Sequence, residues 1–120
     1  MDKIKKTISC LEAMLRHCSR VAETITRFGN DCSKFESDLD FFDSVTMNIL
    51  QIGELANHLP SSVRDKYQNI PWKRVIGQRN VVAHGYGTLV KERIWKTATE
   101  DVPVFQKQLQ EILSAIKSDK

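Results

Sequence analysis

The sequence predicts an all-α fold, an antiparallel bundle of four to five helices in one domain that spans residues 1–120. Apolar residues recur at spacings of three and four along several long stretches, which is the period of helices buried on one side. Runs in which apolar and polar residues alternate, typical of strands, are absent from the sequence. A chain of 120 residues is also long enough to enclose one hydrophobic core.

Composition narrows the class of protein. Hydrophobic residues make up 41% and charged residues 28%, as in ordinary globular proteins, and the net charge of +3 permits a polyanionic partner without requiring one. Cys10, Cys18 and Cys32 lack the spacing of a zinc site, so we expect no metal and reduced thiols. Without a signal peptide or a membrane span in the sequence, we expect a cytoplasmic protein.

The first helix is predicted from about Asp2 to Phe28, ending at the turn residues Gly29 and Asn30. His17 lies off the apolar side of this helix and is expected to face solvent. Cys10 and Cys18 are expected in the core. The predicted seam has a period of 3.5 residues and consists of Ile4, Ile8, Leu11, Leu15, Cys18, Ala22 and Ile25, widened by Met14, Val21 and Phe28.

The second long helix is predicted from Leu39 to Leu59, where Pro60 ends it. A short helical turn before it would be capped by Ser33. Gly53 lies inside the long helix and indicates a close approach by another helix, while Asn48 falls on the core side and needs a polar partner. The core side gathers Phe41, Val45, Ile49, Ile52, Leu55, Ala56 and Leu59.

The other side of that helix mixes apolar and polar residues, including Asp43, Met47, Leu50 and Glu54. A solvated face is one interpretation. Because Met47 and Leu50 are unusual on a solvated face, a partner surface or the wall of a cleft is the other.

A third helix is predicted between Pro71, as its first residue, and Gly85, just past its end, with Ser61 and Ser62 capping a short helix before it. Arg79 falls in the middle of its apolar stripe. An arginine there needs an anionic partner or an aqueous notch, because an unpaired buried charge costs several kcal/mol. Glu54 and Asp43 are the candidate partners.

The last helix is predicted to begin near Lys91, with its apolar register passing through Pro103. Proline removes a backbone hydrogen bond and clashes with the preceding turn, so we expect a kink at Pro103 or two nearly collinear helices.

Arg79 and His84 are the candidate catalytic residues. A guanidinium is a fork for phosphate and an imidazole titrates near neutrality, a pair suited to in-line cleavage of a phosphodiester. Five residues separate them by about 140° on a regular helix, so both reach one anion only if the last turn unwinds near Gly85. Alternatively, His84 only interacts with the helix dipole and Arg79 with a structural ion-pair partner.

Arg79, Asn80, His84 and Tyr86 together resemble the Arg-x4-6-His motif of HEPN-domain ribonucleases, in the His-x-Tyr form of the HepT toxins. The resemblance extends over most of the chain and implies a metal-independent endoribonuclease without cofactor, in which the 2′-hydroxyl of RNA attacks the adjacent phosphate. It implies that His84 moves protons, Arg79 binds the phosphate, and Asn80 orients the loop or donates a hydrogen bond.

The resemblance also implies partners. HEPN ribonucleases dimerise so that two motifs face one cleft, which would supply the second acid or base that a single His84 cannot provide. In HepT toxin-antitoxin pairs, a nucleotidyltransferase antitoxin, MntA, adenylylates the tyrosine that corresponds to Tyr86. A tyrosine packed on the last helix is the simpler alternative for Tyr86. For the whole chain, the alternative is a non-catalytic nucleotide-binding or protein-interaction module.

Overall fold

The computed structural model describes residues 2–85 and 91–118, with side chains described at 3–80 and 91–118. All regular structure in these ranges is helical, which confirms the predicted all-α bundle. The helices are α1 (Asp2–Phe28), α2 (Cys32–Ser37), α3 (Leu39–His58), α4 (Ser61–Lys66), α5 (Trp72–Gly85), α6 (Lys91–Lys96) and α7 (Val102–Ser118), with a π-helical turn at Thr97–Asp101. No helix in the described ranges is long and apolar enough to span a bilayer.

Helix α1 packs against both α3 and α7. It ends as predicted: Gly29 adopts a left-handed φ of 108° and its N–H donates to the Ile25 carbonyl at 2.8 Å. The predicted seam needs correction at Ile4 and Ala22, which are exposed, whereas the predicted widening by Met14 and Val21 is confirmed, because both are buried. With neighbours on two sides, the buried face is broad. Its most buried residues still step by four and three, but along a line that shares Leu11 and Cys18 with the predicted seam and otherwise consists of Thr7, Met14 and Val21.

Aspartates cap α2 and α3. The Asp31 carboxylate accepts from the Ser33 N–H at 2.9 Å, so the N-cap of α2 is Asp31 and not Ser33. The Asp38 carboxylate caps α3 in the same way and accepts from the Phe41 N–H at 3.1 Å. Helix α3 then runs to His58, within one residue of the predicted end. Its predicted core residues are buried except Leu55, which is half-buried.

The turn after α3 differs from the predicted serine cap. Pro60 takes the position before α4 and no side chain caps that helix. Instead, the Arg64 guanidinium reaches back and donates to the carbonyls of Ala56, Asn57 and Leu59 at 2.9, 3.2 and 3.0 Å. These carbonyls belong to the last turn of α3, where intrahelical donors run out, so Arg64 stabilises the end of that helix.

The break in the last long helical segment is the π turn, which ends one residue before Val102 and two before Pro103. The Val102 N–H bonds to the Thr97 carbonyl, five residues back, as in a π-helix. Pro103 is then the second residue of α7, and because it has no N–H, it cannot continue the hydrogen-bond ladder of the turn before it. The predicted interruption therefore takes the form of a widened turn just before the proline.

The cysteine environments predict slow thiol chemistry. Burial raises the pKa of Cys18 to about 12, while partial burial, a hydrogen bond to Glu36 and neighbouring carboxylates raise that of Cys32 to about 11. At pH 8 we expect Cys32 to react with a disulfide reagent about tenfold more slowly than an ordinary thiol, because the thiolate is the nucleophile and its scarcity outweighs the higher nucleophilicity of a more basic thiolate. Its labelling rate should rise with pH up to about 11. Rapid labelling of the native protein at pH 7 would contradict the prediction, and urea-unfolded protein is the control.

Candidate active site

Arg79 lies on α5 where that helix packs against α3. Its Nε is 3.3 Å from Oε1 of Glu54, and the side chains are 29% and 39% exposed, respectively. A pair this accessible to water is worth roughly 1 kcal/mol or less to stability, so it fixes the direction of the guanidinium more than it stabilises the fold. Glu54, one of the two carboxylates considered as partners, is thus the one placed beside Arg79.

Asn80 holds the same guanidinium from the next residue. Its Oδ1 accepts from Arg79 Nε at 3.4 Å and from Nη2 at 3.2 Å. Within the described residues, no acceptor is hydrogen-bonded to Nη1. Glu54 and Asn80 therefore occupy the Nε side of the fork and leave N–H groups at its far end for an anion.

Gly53 allows the two helices to meet at this point. A Cβ built at Gly53 would lie 3.0 Å from Arg79 Cβ and 3.0 Å from the Val75 carbonyl oxygen. The predicted close approach of another helix at Gly53 is confirmed, and the helix is α5. Because Glu54 is the next residue, the same contact sets how near its carboxylate comes to Arg79.

We predict that Gly53→Ala destabilises the protein by about 1 kcal/mol, although alanine is the better helix former. The added methyl would push on a Cβ and a backbone carbonyl of α5, neither of which can swing away. The measurement is urea unfolding. Gly77→Ala is the matched control, since nothing lies within 4 Å of a Cβ there, and it should stabilise by up to about 1 kcal/mol. Stabilisation by both variants would contradict the tight contact.

His84 and Tyr86 lie at the edge of the described residues. The backbone of α5 is helical through its last residue, Gly85, so the last turn does not unwind before His84. The side chain of His84, and all of Tyr86, lie outside the described residues. Asn80 precedes His84 by four residues, one turn of helix, and so shares its face of α5. Because the Arg79 guanidinium donates to Asn80, it is directed toward that face while α5 remains helical.

Asp43 is placed elsewhere on α3. It lies eleven residues before Glu54, about 16 Å along the helix axis. There it lines an open groove between α1 and α3 together with His17 and Arg20. The structure therefore brings Arg79, Asn80 and Glu54 together and does not add Asp43 to that cluster.

The sequence interpretation missed His17, which was expected to face solvent. Its Nδ1 lies 2.8 Å from Oδ1 of Asn48 and the residue is half-buried. The signal was Asn48, a polar residue on the core side of α3 for which a partner had to exist.

A separate cleft of about 220 Å³ opens between α5, the π turn and α7. Arg74, Val75 and Gln78 line it from α5, over a floor of Ile49 and Ile52, while Glu54 and Asn80 do not. This cleft is therefore on another side of α5 from the Arg79 cluster. Among the described residues no group of three histidine, cysteine or acidic side chains is placed to hold a metal ion.

Comparison with known proteins gives a consistent set of relatives. The sequence model of a family described as "Ribonuclease HepT-like" matches residues 10–112. A protein of Caldanaerobacter subterraneus subsp. tengcongensis named a putative RNase is 30% identical over 107 residues, covering 89% of this chain and 94% of the relative. One of Methanocaldococcus jannaschii, also named a putative RNase, is 28% identical over 95 residues, covering 72% and 87%.

A shorter match is to a probable ribonuclease HepT of Thermococcus cleftensis, 31% identical over 52 residues, or 43% of this chain and 47% of the relative. No solved structure matches the chain significantly.

Proposed function

The chain belongs to the HepT-like ribonuclease family, and from that membership we propose that it is a metal-independent endoribonuclease acting through Arg79 and His84. The observation that carries the proposal is the guanidinium of Arg79. It is held on one side by Glu54 and Asn80 and directed toward the face of α5 that continues to His84.

In the proposed reaction the RNA supplies its own nucleophile. The 2′-oxygen forms a bond to the adjacent phosphorus, the bond from phosphorus to the 5′-oxygen breaks, and a 2′,3′-cyclic phosphate and a 5′-hydroxyl result. His84 accepts the proton of the 2′-hydroxyl or delivers one to the leaving 5′-oxygen. The open end of the Arg79 fork binds the phosphate oxygens as negative charge builds on them. Glu54 and Asn80 position that fork, and Asp43 stays a proposed supporting residue outside the Arg79 cluster.

A second proton-transfer group is needed, because one imidazole does not reach both sides of an in-line displacement. We propose that it comes from a second copy of the chain. On α3, Met47 is exposed at 47% and shares a face with Glu54, as a partner surface beside the site would require. Sedimentation at working concentration tests this: a fully active monomer would contradict it.

The proposed biological role is that of a toxin silenced by adenylylation of Tyr86 by a nucleotidyltransferase antitoxin of the MntA kind. A nucleotide on Tyr86, two residues from His84, would bring bulk and negative charge to the phosphate site. The test is mass spectrometry after co-expression with a nucleotidyltransferase encoded next to this gene. An unmodified Tyr86 in inhibited protein would count against this regulation.

The Arg79–Glu54 ion pair is also what a non-catalytic binding module would contain. His84→Ala separates the two functions. For an enzyme, we expect RNA cleavage to fall by about 10²–10⁴-fold with unchanged folding, because general acid–base catalysis is lost. The assay follows a labelled single-stranded RNA in the presence of EDTA and determines the product ends. Cleavage that requires a divalent metal, or equal activity of His84→Ala, would refute the proposed mechanism.

A further inference from the structure

The groove between α1 and α3 contains His17, and the hydrogen bonds of its neighbours determine which ring nitrogen carries the proton. Asn48 Nδ2 lies 2.8 Å from the Ser44 carbonyl oxygen, which can only accept, so this atom must be the donating NH₂. Asn48 Oδ1 therefore faces His17 Nδ1, at 2.8 Å, and can only accept. The proton of neutral His17 must lie on Nδ1. Its Nε2 is then a hydrogen-bond acceptor, held in a fixed direction by the chain from Ser44.

The surroundings of His17 form an open groove of about 430 Å³. Arg20 follows His17 by three residues on α1 and lines the same groove, as do Ser44 and Gln51. Met47 provides an apolar edge and Asp43 a negative charge. The groove thus offers an acceptor nitrogen, a guanidinium and an apolar surface within one turn of helix.

This groove adjoins the Arg79 cluster. Met47 and Asp43 line the groove, and they precede Glu54 by seven and eleven residues, spacings that place all three on one face of α3. From Glu54 to Asn48 the helix advances about 9 Å. A short single-stranded segment of RNA covers that distance.

We infer that the α1–α3 groove binds the ribose and phosphate of a nucleotide flanking the cleaved bond, with His17 Nε2 accepting from a 2′-hydroxyl and Arg20 binding the phosphate. This rests on the proposed RNA substrate. A phosphate diester cannot donate to Nε2, whereas the 2′-hydroxyl can, and this hydroxyl distinguishes RNA from DNA. The groove is therefore a site at which the protein selects RNA.

The experiment measures binding by fluorescence anisotropy, in a His84→Ala background, of a labelled single-stranded RNA and a DNA of the same sequence. We expect the RNA to bind about five- to tenfold more tightly, as one or two hydrogen bonds allow. His17→Phe should reduce RNA affinity to the DNA level and leave DNA affinity unchanged. Arg20→Gln should weaken both about fivefold and lower the salt slope by about 0.7.

Arg16→Gln is the matched control, because Arg16 is exposed on α1 and lines the groove against α7 that Arg20 also lines, but not the α1–α3 groove. Equal RNA and DNA affinity in the parent, or equal effects of Arg16→Gln and Arg20→Gln, would overturn the inference. Should His17→Phe fail to fold, nitrogen NMR of the unsubstituted ring decides: its Nε2 signal must shift with RNA and not with DNA. If the unsubstituted protein binds RNA selectively but does not cleave it, the proposed nuclease activity is refuted and the proposed groove site stands. If it cleaves RNA but binds RNA and DNA equally, the proposed groove site is refuted and the nuclease activity stands.

Discussion

Arg79→Ala is expected to lower the rate of RNA cleavage by about 10³-fold or more, the magnitude seen when an arginine that stabilises charge on a transferring phosphate is lost. The structure supports this expectation, because Glu54 and Asn80 bind only part of the guanidinium. Arg79→Lys should recover little, since an ammonium keeps the charge but cannot make the forked contact. The measurement is single-turnover cleavage of a defined RNA, with circular dichroism to verify folding.

Arg74→Ala is the matched control for that prediction. Arg74 lies on the same helix and also forms an ion pair, with Asp101 at 2.7 Å, but it is 62% exposed and lines the cleft on another side of α5. We expect cleavage by Arg74→Ala to stay within a fewfold of the unsubstituted rate. Equal losses in both variants would show that charge on α5, rather than a placed guanidinium, sets the rate.

Phe41→Ala is expected to cost about 3–5 kcal/mol in the free energy of unfolding. The Phe41 ring is fully buried, stacks on Phe28 with centroids 4.8 Å apart, and meets Phe35 and Trp95 edge-on at 5.2 and 5.7 Å. Because this cluster joins α1, α2, α3 and α6, a cavity there loosens four helices at once. Urea unfolding at fixed temperature gives the value.

Leu39→Ala is the control for Phe41, two residues earlier on α3 and 67% exposed. It should change the free energy of unfolding by about 0.5 kcal/mol or less. A loss near 3 kcal/mol for Leu39→Ala would mean that the cost does not depend on burial in the aromatic cluster.

Much of the fold followed from local chemistry. Gly29 ends α1 because glycine readily adopts the left-handed φ of a helix terminus, and Pro60 ends α3 because proline cannot continue a helix. Both signals can be recognised in the sequence without knowledge of tertiary contacts. The buried face of α1 was misplaced because it depends on where α3 and α7 pack. The choice of Asp31 over Ser33 as the N-cap of α2 could likewise not be predicted from the sequence, since both residue types are good caps.

For the candidate site, the sequence pointed to Arg79 because a charge on an apolar stripe must find a partner. It could not choose between Glu54 and Asp43. Eleven residues are just over three whole turns, so both carboxylates lie on one face of α3 and look equivalent on a helical projection. Only the axial position of α5, set by Gly53, makes Glu54 the partner. His17 was missed for the same reason, since its partner lies on another helix.

The π turn at Thr97–Asp101 has a consequence for chain length. A turn of this kind accommodates one surplus residue while the flanking helices keep their alignment. Removing a single residue there, such as Thr99, should bring α6 and α7 into one α-helical register, with a kink left at Pro103, without rotating Ile94 or Phe105 out of the core. The same deletion in the middle of α7 would turn every later side chain by about 100°. The π turn is therefore a position at which the length of the chain can change by a residue while the bundle stays intact.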